Sequence, residues 1–290
     1  MFTDSVVLSL YFETPLSAPS GSVVGPIDHP IQRERTTQWP TVHAATLESS
    51  MRVTFEELAG PDVAGKLFGA AAGDDADARN QLSVGDARLL LFPVRSSVAP
   101  FLWLTCPAVL SRLRRDLART VGLEIPPAPP VKTDDIVTGK AWKHGDEALA
   151  VEDIVLKPRN GLEPPGLLEL LPCESPAYDG FAREVESALG LVSDEVFSFL
   201  VRTATEVRVS GGMLADETNV MYDEAVPADA MFYVPIIGVG AKPKGPKEEL
   251  SALQTFEKHL GSHLRIGEGE HVGRGWARTR LLKPAIGGEK

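Results

Sequence analysis

Four side chains able to do acid–base chemistry or bind phosphate lie within eight residues near the start of the chain: Asp28, His29, Arg33 and Arg35. Two prolines, one on each side of Asp28, exclude a continuous helix, so these side chains project from a stiff, extended loop. Loops of this kind carry function more often than cores do. A carboxylate placed there can serve as a base or as a metal ligand, and the sequence alone does not choose. A surface cluster of salt bridges also fits the pattern.

A glycine-rich loop near the C-terminal end, residues 267–275, is the second candidate. Glycines let backbone amides approach phosphates closely, and Arg274, Arg278 and Arg280 lie in or just after this loop. A dinucleotide-binding loop should follow a strand and open a helix, whereas this loop leads into a strand. The segment is therefore predicted to be either a phosphate-binding loop or a simple tight turn.

The remaining polar motifs do not have the spacing of known sites. Asp74, Asp75 and Asp77 lack the alternating positions and distal glutamate of a calcium loop, which favours a solvated acidic loop. His259 and His263 are four residues apart without a third ligand, which favours surface histidines. The two cysteines give no zinc or disulfide pattern.

The elements that must position these residues follow from hydrophobic periodicity. Strands interspersed with helices, without a regular βαβ period, predict an α+β fold. Residues 124–176, rich in proline and acid, are predicted to be an insertion packed on the main domain. Arms at 205–209 and 219–222 are predicted to form a protruding hairpin. The other predicted strands are 5–12, 87–94, 98–105, 231–239 and a basic strand ending near 282, and the predicted helices are 44–58, one beginning at Pro107, one capped by Ser193, and 246–260.

Composition and charge limit the class of protein. The chain has 290 residues, of which 43% are hydrophobic, and this length and composition predict one large globular domain or two ordinary ones. The net charge of −11 argues against a free-standing nucleic-acid binder, yet residues 241–290 hold ten Lys/Arg and only six Asp/Glu. No leader or membrane-spanning pattern is visible, which predicts a soluble cytoplasmic protein.

The loop around Asp28 carries a family resemblance. The stretch Ile27-Asp28-His29-Pro30-Ile31-Gln32-Arg33-Glu34-Arg35 resembles the signature Ile-Asp-x-Pro-Ile-Gln-Arg-Glu. That signature marks the repeated backbone subunit of type III-B CRISPR effector (Cmr) complexes, in the RAMP superfamily. Further matching motifs follow in the family's order at 67–69, 86–96, 103–110, 192–197 and 273–275.

The resemblance implies a fold, partners and an activity. The fold would be an RRM-like (ferredoxin-like) RAMP domain spanning 1–290, with an insertion at about 124–176 and a thumb hairpin at about 204–228. Copies would stack along a guide RNA with other subunits of the effector and cleave complementary target RNA at regular intervals, with a divalent metal, magnesium. By motif match the cleaving aspartate is Asp28, with Asp223 and Glu224 near the cleavage site. The residues that would contact RNA are Arg33, Arg35, Arg52, Gly273, Arg274, Gly275 and Arg278.

Three departures from the family pattern keep an alternative open. Ser17 stands where the family often has a histidine, and Glu48 stands where it commonly has a lysine. These two favour a scaffold that binds guide RNA without cutting, whereas Asp28 favours the endoribonuclease. His29 stands where the family usually has an aliphatic residue; it is either an acid–base group or, more commonly for an exposed imidazole, a surface side chain. An unrelated acidic enzyme is the third and most distant alternative.

Overall fold

Strands and helices occupy most of residues 4–22, 24–69, 80–163, 165–210, 220–239 and 250–284, the part of the chain that the computed structural model describes. The strands are β1 (Ser5–Phe12), β2 (Thr41–Val42), β3 (Leu82–Val84), β4 (Ala87–Arg95), β5 (Phe101–Thr105), β6 (Asp135–Thr138), β7 (Leu149–Val151), β8 (Ile154–Asn160), β9 (Leu189–Leu191), β10 (Glu206–Ser210), β11 (Met221–Ala225), β12 (Met231–Gly238), β13 (His263–Arg265) and β14 (Trp276–Leu282). The helices are α1 (Ala44–Ala59), α2 (Pro61–Phe68), α3 (Pro107–Thr120), α4 (Pro165–Leu168), α5 (Phe181–Ala188), α6 (Asp194–Thr203) and α7 (Ala252–His259), with short 3₁₀ turns at Pro176–Tyr178 and Glu270–Val272.

One large sheet forms the centre of the fold. Its strand order is β13-β14-β1-β12-β4-β5-β9-β6-β8-β7, with β2 added to β4 and β3 added to β12. Neighbouring strands are antiparallel except the pairs β5–β9 and β6–β8. The strands β10 and β11 form a separate two-stranded hairpin. This mixture of helices with a mainly antiparallel sheet confirms the predicted α+β class.

Helices cover both faces of the sheet. The hydroxyl of Tyr233 on β12 donates to Asp116 of α3 at 3.0 Å, so α3 lies on the face to which Tyr233 points. Position 238 points to the opposite face, where a Cβ on Gly238 would lie 3.5 Å from Leu253 Cγ of α7. All eight residues of β1 are buried, as expected for a strand covered on both sides. On the face of α7, the packed rings are Phe55, Phe68 and Phe256.

Most predicted elements agree with the observed ones to within a few residues. The predicted strand 98–105 begins only at Phe101, because Ser96 Oγ accepts the backbone N–H of Ala99 and holds a turn. The predicted helix 246–260 is observed as α7, whose capping box joins Ser251 and Gln254. Residues 246–249 lie outside the described chain, as do Asp74, Asp75 and Asp77.

The predicted insertion contains strands that the sequence pattern does not predict. Three of them, β6, β7 and β8, fall within residues 124–176 and extend the central sheet beyond β9. The contact is direct, because β6 pairs with β9 on one side and with β8 on the other.

Among the described helices, none combines the length and the apolar character needed to cross a bilayer.

Candidate active site

The loop that carries Asp28 is held against the hairpin strand β11. The backbone N–H of Asp28 donates to Tyr222 O at 3.0 Å, and the Tyr222 N–H donates to Asp28 Oδ2 at 2.8 Å. One residue further along, the Glu224 N–H donates to His29 O at 3.1 Å. The outer edge of β11 offers unpaired backbone groups, and the proline-stiffened loop satisfies them. Asp28 is half-buried, and its other oxygen, Oδ1, accepts no hydrogen bond from the described residues.

Next to Asp28, three charged side chains form a chain of contacts. His29 Nδ1 lies 2.9 Å from Asp223 Oδ1, and Asp223 Oδ2 lies 3.5 Å from Arg274 Nη1. The imidazole is 33% exposed, whereas the side chains of Asp223 and Arg274 are 15% and 10% exposed. The guanidinium and the imidazole thus hold one carboxylate between them, with the histidine at the solvent end.

These side chains form part of the wall of a cleft of about 440 Å³. The cleft lies between the hairpin, the Asp28 loop and the glycine-rich loop. Its walls bear charges of both signs: Arg208 and Arg274 are basic, and Asp223 and Glu268 are acidic. Ser17, one of the departures from the family pattern, also lies on this wall. Two arginines and an imidazole around an open volume of this size fit a phosphodiester group.

Two glycines of the C-terminal loop, Gly273 and Gly275, have different surroundings. Gly273 and Gly275 both have positive φ, 76° and 77°, which favours glycine. A Cβ on Gly275 would lie 2.1 Å from Ile266 O, so this glycine permits a close contact within the protein. A Cβ on Gly273 would meet nothing within 4 Å, so this glycine lies at an open surface. Of the two, Gly273 is the one that a ligand can approach.

Arg33 and Glu224 form a largely buried ion pair. Arg33 Nη2 donates to Glu224 Oε1 at 2.5 Å, and their side chains are only 16% and 5% exposed. Arg33 Nη1 also donates to Val201 O and Gln38 O. The oxygens of Glu224 further accept from the Ile31 N–H at 3.1 Å and from Thr205 Oγ1 at 2.8 Å. Both side chains therefore anchor the loop to the hairpin base instead of facing the cleft.

The other predicted RNA-contacting arginines lie in three separate places. Arg52 donates to Phe68 O and Gly69 O at the end of α2, which satisfies carbonyls that the helix leaves open. Arg278 lies 5.6 Å from the centre of the Tyr178 ring. Arg35 is exposed and lines a second cleft, of about 650 Å³.

That second cleft includes arginines that the site prediction omits. Arg112 and Arg115 reach it from α3, and His43 reaches it from the start of α1. Arg112 Nη1 also contacts both oxygens of Glu34 at 2.7 Å and lies over Trp39. The regular arginine spacing on α3 is visible in the sequence, but its position beside Arg35 depends on tertiary packing.

A metal site built by this chain alone is not formed in the described residues, where no three His, Cys, Asp or Glu side chains lie close enough to hold an ion. Of the nearest candidates, Asp28 accepts the Tyr222 N–H through one oxygen, and Asp223 contacts His29 and Arg274. The expected magnesium stays a prediction.

Comparisons with known proteins extend over nearly the whole chain. No family model matches it. The chain is 28% identical over 285 residues to the CRISPR system Cmr endoribonuclease Cmr4 of Pyrococcus furiosus, covering 95% of each protein. The crystal structure of oligomeric Cmr4 from Pyrococcus furiosus superposes with a TM-score of 0.70 at 25% identity, covering 97% of this chain and 99% of that one. A chain of the type III-B Cmr-beta complex bound to cognate target RNA has the same fold, with a TM-score of 0.70 at 14% identity, covering 97% and 98% of the two chains.

Proposed function

We propose that this chain, a RAMP-type backbone subunit of type III-B CRISPR effector complexes, cleaves target RNA paired to a guide RNA, with Asp28 as the cleaving carboxylate. One observation carries the proposal: Asp28 is fixed to β11 by two hydrogen bonds, keeps one oxygen uncommitted, and adjoins a cleft with arginine and histidine walls. The name of the relative, an endoribonuclease, supports the same activity.

The chemistry requires little of the protein. In RNA, the 2'-hydroxyl can attack the adjacent phosphorus in line with the 5'-oxygen that leaves. The O2'–P bond forms, the P–O5' bond breaks, and the products are a 2',3'-cyclic phosphate and a 5'-hydroxyl. Asp28 takes the proton of the attacking hydroxyl, while Arg208 and Arg274 offset the charge that builds up on the phosphate. Asp223 lies on the cleft wall, whereas Glu224 faces inward, and we leave Glu224 out of the reacting set.

The hairpin fits the task of exposing the target strand. In this proposal β10 and β11 form the base of a thumb on a ferredoxin-like core, and the thumb interrupts the guide–target duplex beside Asp28. The observation that supports this role is an exposed apolar surface on both arms of the hairpin. The side chains that form it, each more than 40% exposed, are Val207, Val209, Met221 and Tyr222. Side chains of this kind can stack against splayed bases.

Guide binding is assigned to two accessible surfaces. These are the open backbone at Gly273 and the second cleft, where Arg35 is exposed. An acidic chain with such small basic surfaces binds RNA weakly alone and firmly once copies stack along one guide, because tethering multiplies weak contacts. We therefore propose a cytoplasmic assembly with repeated copies, other effector subunits, guide RNA and target RNA.

A reconstituted assembly tests the proposal. The effector containing this chain is supplied with a guide and a labelled complementary RNA, with magnesium or with a chelator. We expect fragments at regular intervals, and a dependence on magnesium would establish the metal that the described residues do not identify. A complex that binds the target and leaves it intact under all conditions would support the non-cleaving scaffold instead.

A further inference from the structure

We infer that His29 and Asp223 form a dyad in which His29 donates a proton to the leaving 5'-oxygen of the target RNA and Asp223 holds the imidazole in place. The inference rests on the proposed cleavage and completes it, since Asp28 accounts for only one of the two proton transfers. It assigns His29 a catalytic role and Asp223 a positioning role.

The histidine is fixed through both its backbone and its ring. Its N–H donates to Tyr222 O at 3.2 Å, its carbonyl accepts the Glu224 N–H at 3.1 Å, and its Nδ1 lies 2.9 Å from Asp223 Oδ1. With the proton of Nδ1 directed to a carboxylate, Nε2 is the nitrogen left for a substrate, as in other aspartate–histidine pairs. No described residue hydrogen-bonds to Nε2, and the ring borders the cleft.

Arg274 supports the carboxylate from behind. Its Nη1 lies 3.5 Å from Asp223 Oδ2, and its own backbone N–H donates to Gly269 O at 3.1 Å. Arg274 is 9% exposed overall, so the surrounding chain encloses most of its side chain. An ordinary surface salt bridge joins two flexible, solvated side chains. Here the imidazole is 33% exposed, whereas the two groups behind it are only 15% and 10% exposed.

The charged groups around the ring come from several elements. Arg208 extends from β10, Asp223 from β11, and Glu268, His271 and Arg274 from the C-terminal loop. The two arginines provide the positive charge that draws a phosphodiester toward the imidazole. Asp28 is the adjacent residue in the chain; its side chain accepts the Tyr222 N–H, whereas the His29 ring contacts Asp223, so the two proton-transfer groups are fixed to consecutive residues of β11.

The step is balanced. As the O2'–P bond forms, the hydroxyl proton passes to Asp28; as the P–O5' bond breaks, a proton passes from His29 Nε2 to O5'. The protein ends with a protonated carboxyl and a neutral imidazole, and exchange with water restores both groups. No oxidant, reductant or further reactant is needed.

The decisive test replaces the leaving oxygen. A target RNA with sulfur in place of the bridging 5'-oxygen has a leaving group that departs without protonation, so the loss of a general acid no longer slows it. Single-turnover cleavage of the normal and the sulfur-substituted targets is measured with the full effector carrying the parent chain, His29→Ala, Asp223→Asn or Asp28→Asn. The control is His144→Ala, a half-buried histidine in the insertion that packs against Trp142 and does not line the cleft. Gel filtration with guide RNA confirms that each variant assembles.

We expect His29→Ala to lose about 10²–10⁴-fold on the normal target and to cleave the sulfur target at the parent rate. Asp223→Asn should lose less on the normal target and be restored in the same way, which a merely structural defect would not be. Asp28→Asn should be slow on both targets. Parent-like cleavage of the normal target by His29→Ala, or equal loss on both targets, overturns the inference and leaves Asp28 in place. If the parent assembly cleaves neither target, the proposed function itself fails.

Discussion

Replacing Arg33 by alanine should destabilise the protein, because Arg33 is the charged partner of a buried carboxylate. Its guanidinium bonds Glu224 Oε1 at 2.5 Å, and the side chain of Glu224 is 5% exposed. Removing one partner of a buried ion pair typically costs about 3–5 kcal/mol, since the other charge stays buried. Arg33 is itself 16% exposed, so water can partly replace it, and we expect about 3 kcal/mol, near the lower end of that range.

Urea denaturation of the purified chain, followed by tryptophan fluorescence, measures this loss. The matched control is Arg35→Ala, two residues away and exposed, for which the change should stay within about 0.5 kcal/mol. A double variant, Arg33→Ala with Glu224→Gln, should be more stable than Arg33→Ala alone, because it no longer buries an unpaired charge. If Arg33→Ala unfolds at the parent urea concentration and lowers RNA affinity instead, Arg33 is an RNA contact and the structural argument is refuted.

Two further predictions concern the C-terminal loop. Gly275→Ala should lower the melting temperature far more than Gly273→Ala, because only the first places a Cβ 2.1 Å from a backbone oxygen, while both have similar positive φ; equal shifts in calorimetry would contradict this. Arg274→Ala should slow single-turnover cleavage of the target and leave guide-RNA affinity unchanged, because the guanidinium pairs with Asp223 on the cleft wall and is only 10% exposed. Weaker guide binding with parent-like cleavage, measured by filter binding beside the cleavage assay, would contradict this.

The local parts of this structure follow from the sequence. Ser193 caps α6 by accepting the Val196 N–H, and Ser251 caps α7 in the same way, because a cap joins residues three positions apart. The prolines around Asp28 likewise predict an extended loop. Such features depend on residues that are close together in the chain, so a sequence pattern can predict them.

The partners of the site residues do not follow from the sequence. Asp223 lies 194 positions from His29, and Glu224 lies 191 positions from Arg33. Nothing local distinguishes Arg33, which pairs with a buried carboxylate, from Arg35, which is exposed two residues later. The sequence pattern does not predict the strands of the insertion for a similar reason. β6 is stabilised by pairing with β9, about fifty residues further along, and its own four residues carry little periodicity.

The central claim is that Asp28 is the cleaving carboxylate, and Asp28→Asn tests it most directly. The change keeps the size of the side chain and an oxygen for the Tyr222 N–H, but it removes the charge that accepts a proton. Asp153→Asn, the same substitution at an exposed turn, is the control. In single-turnover assays of the assembled effector, Asp28→Asn should bind guide and target as the parent does and cleave at least about 10²-fold more slowly. Cleavage at the parent rate would contradict the account and assign the reaction to another group.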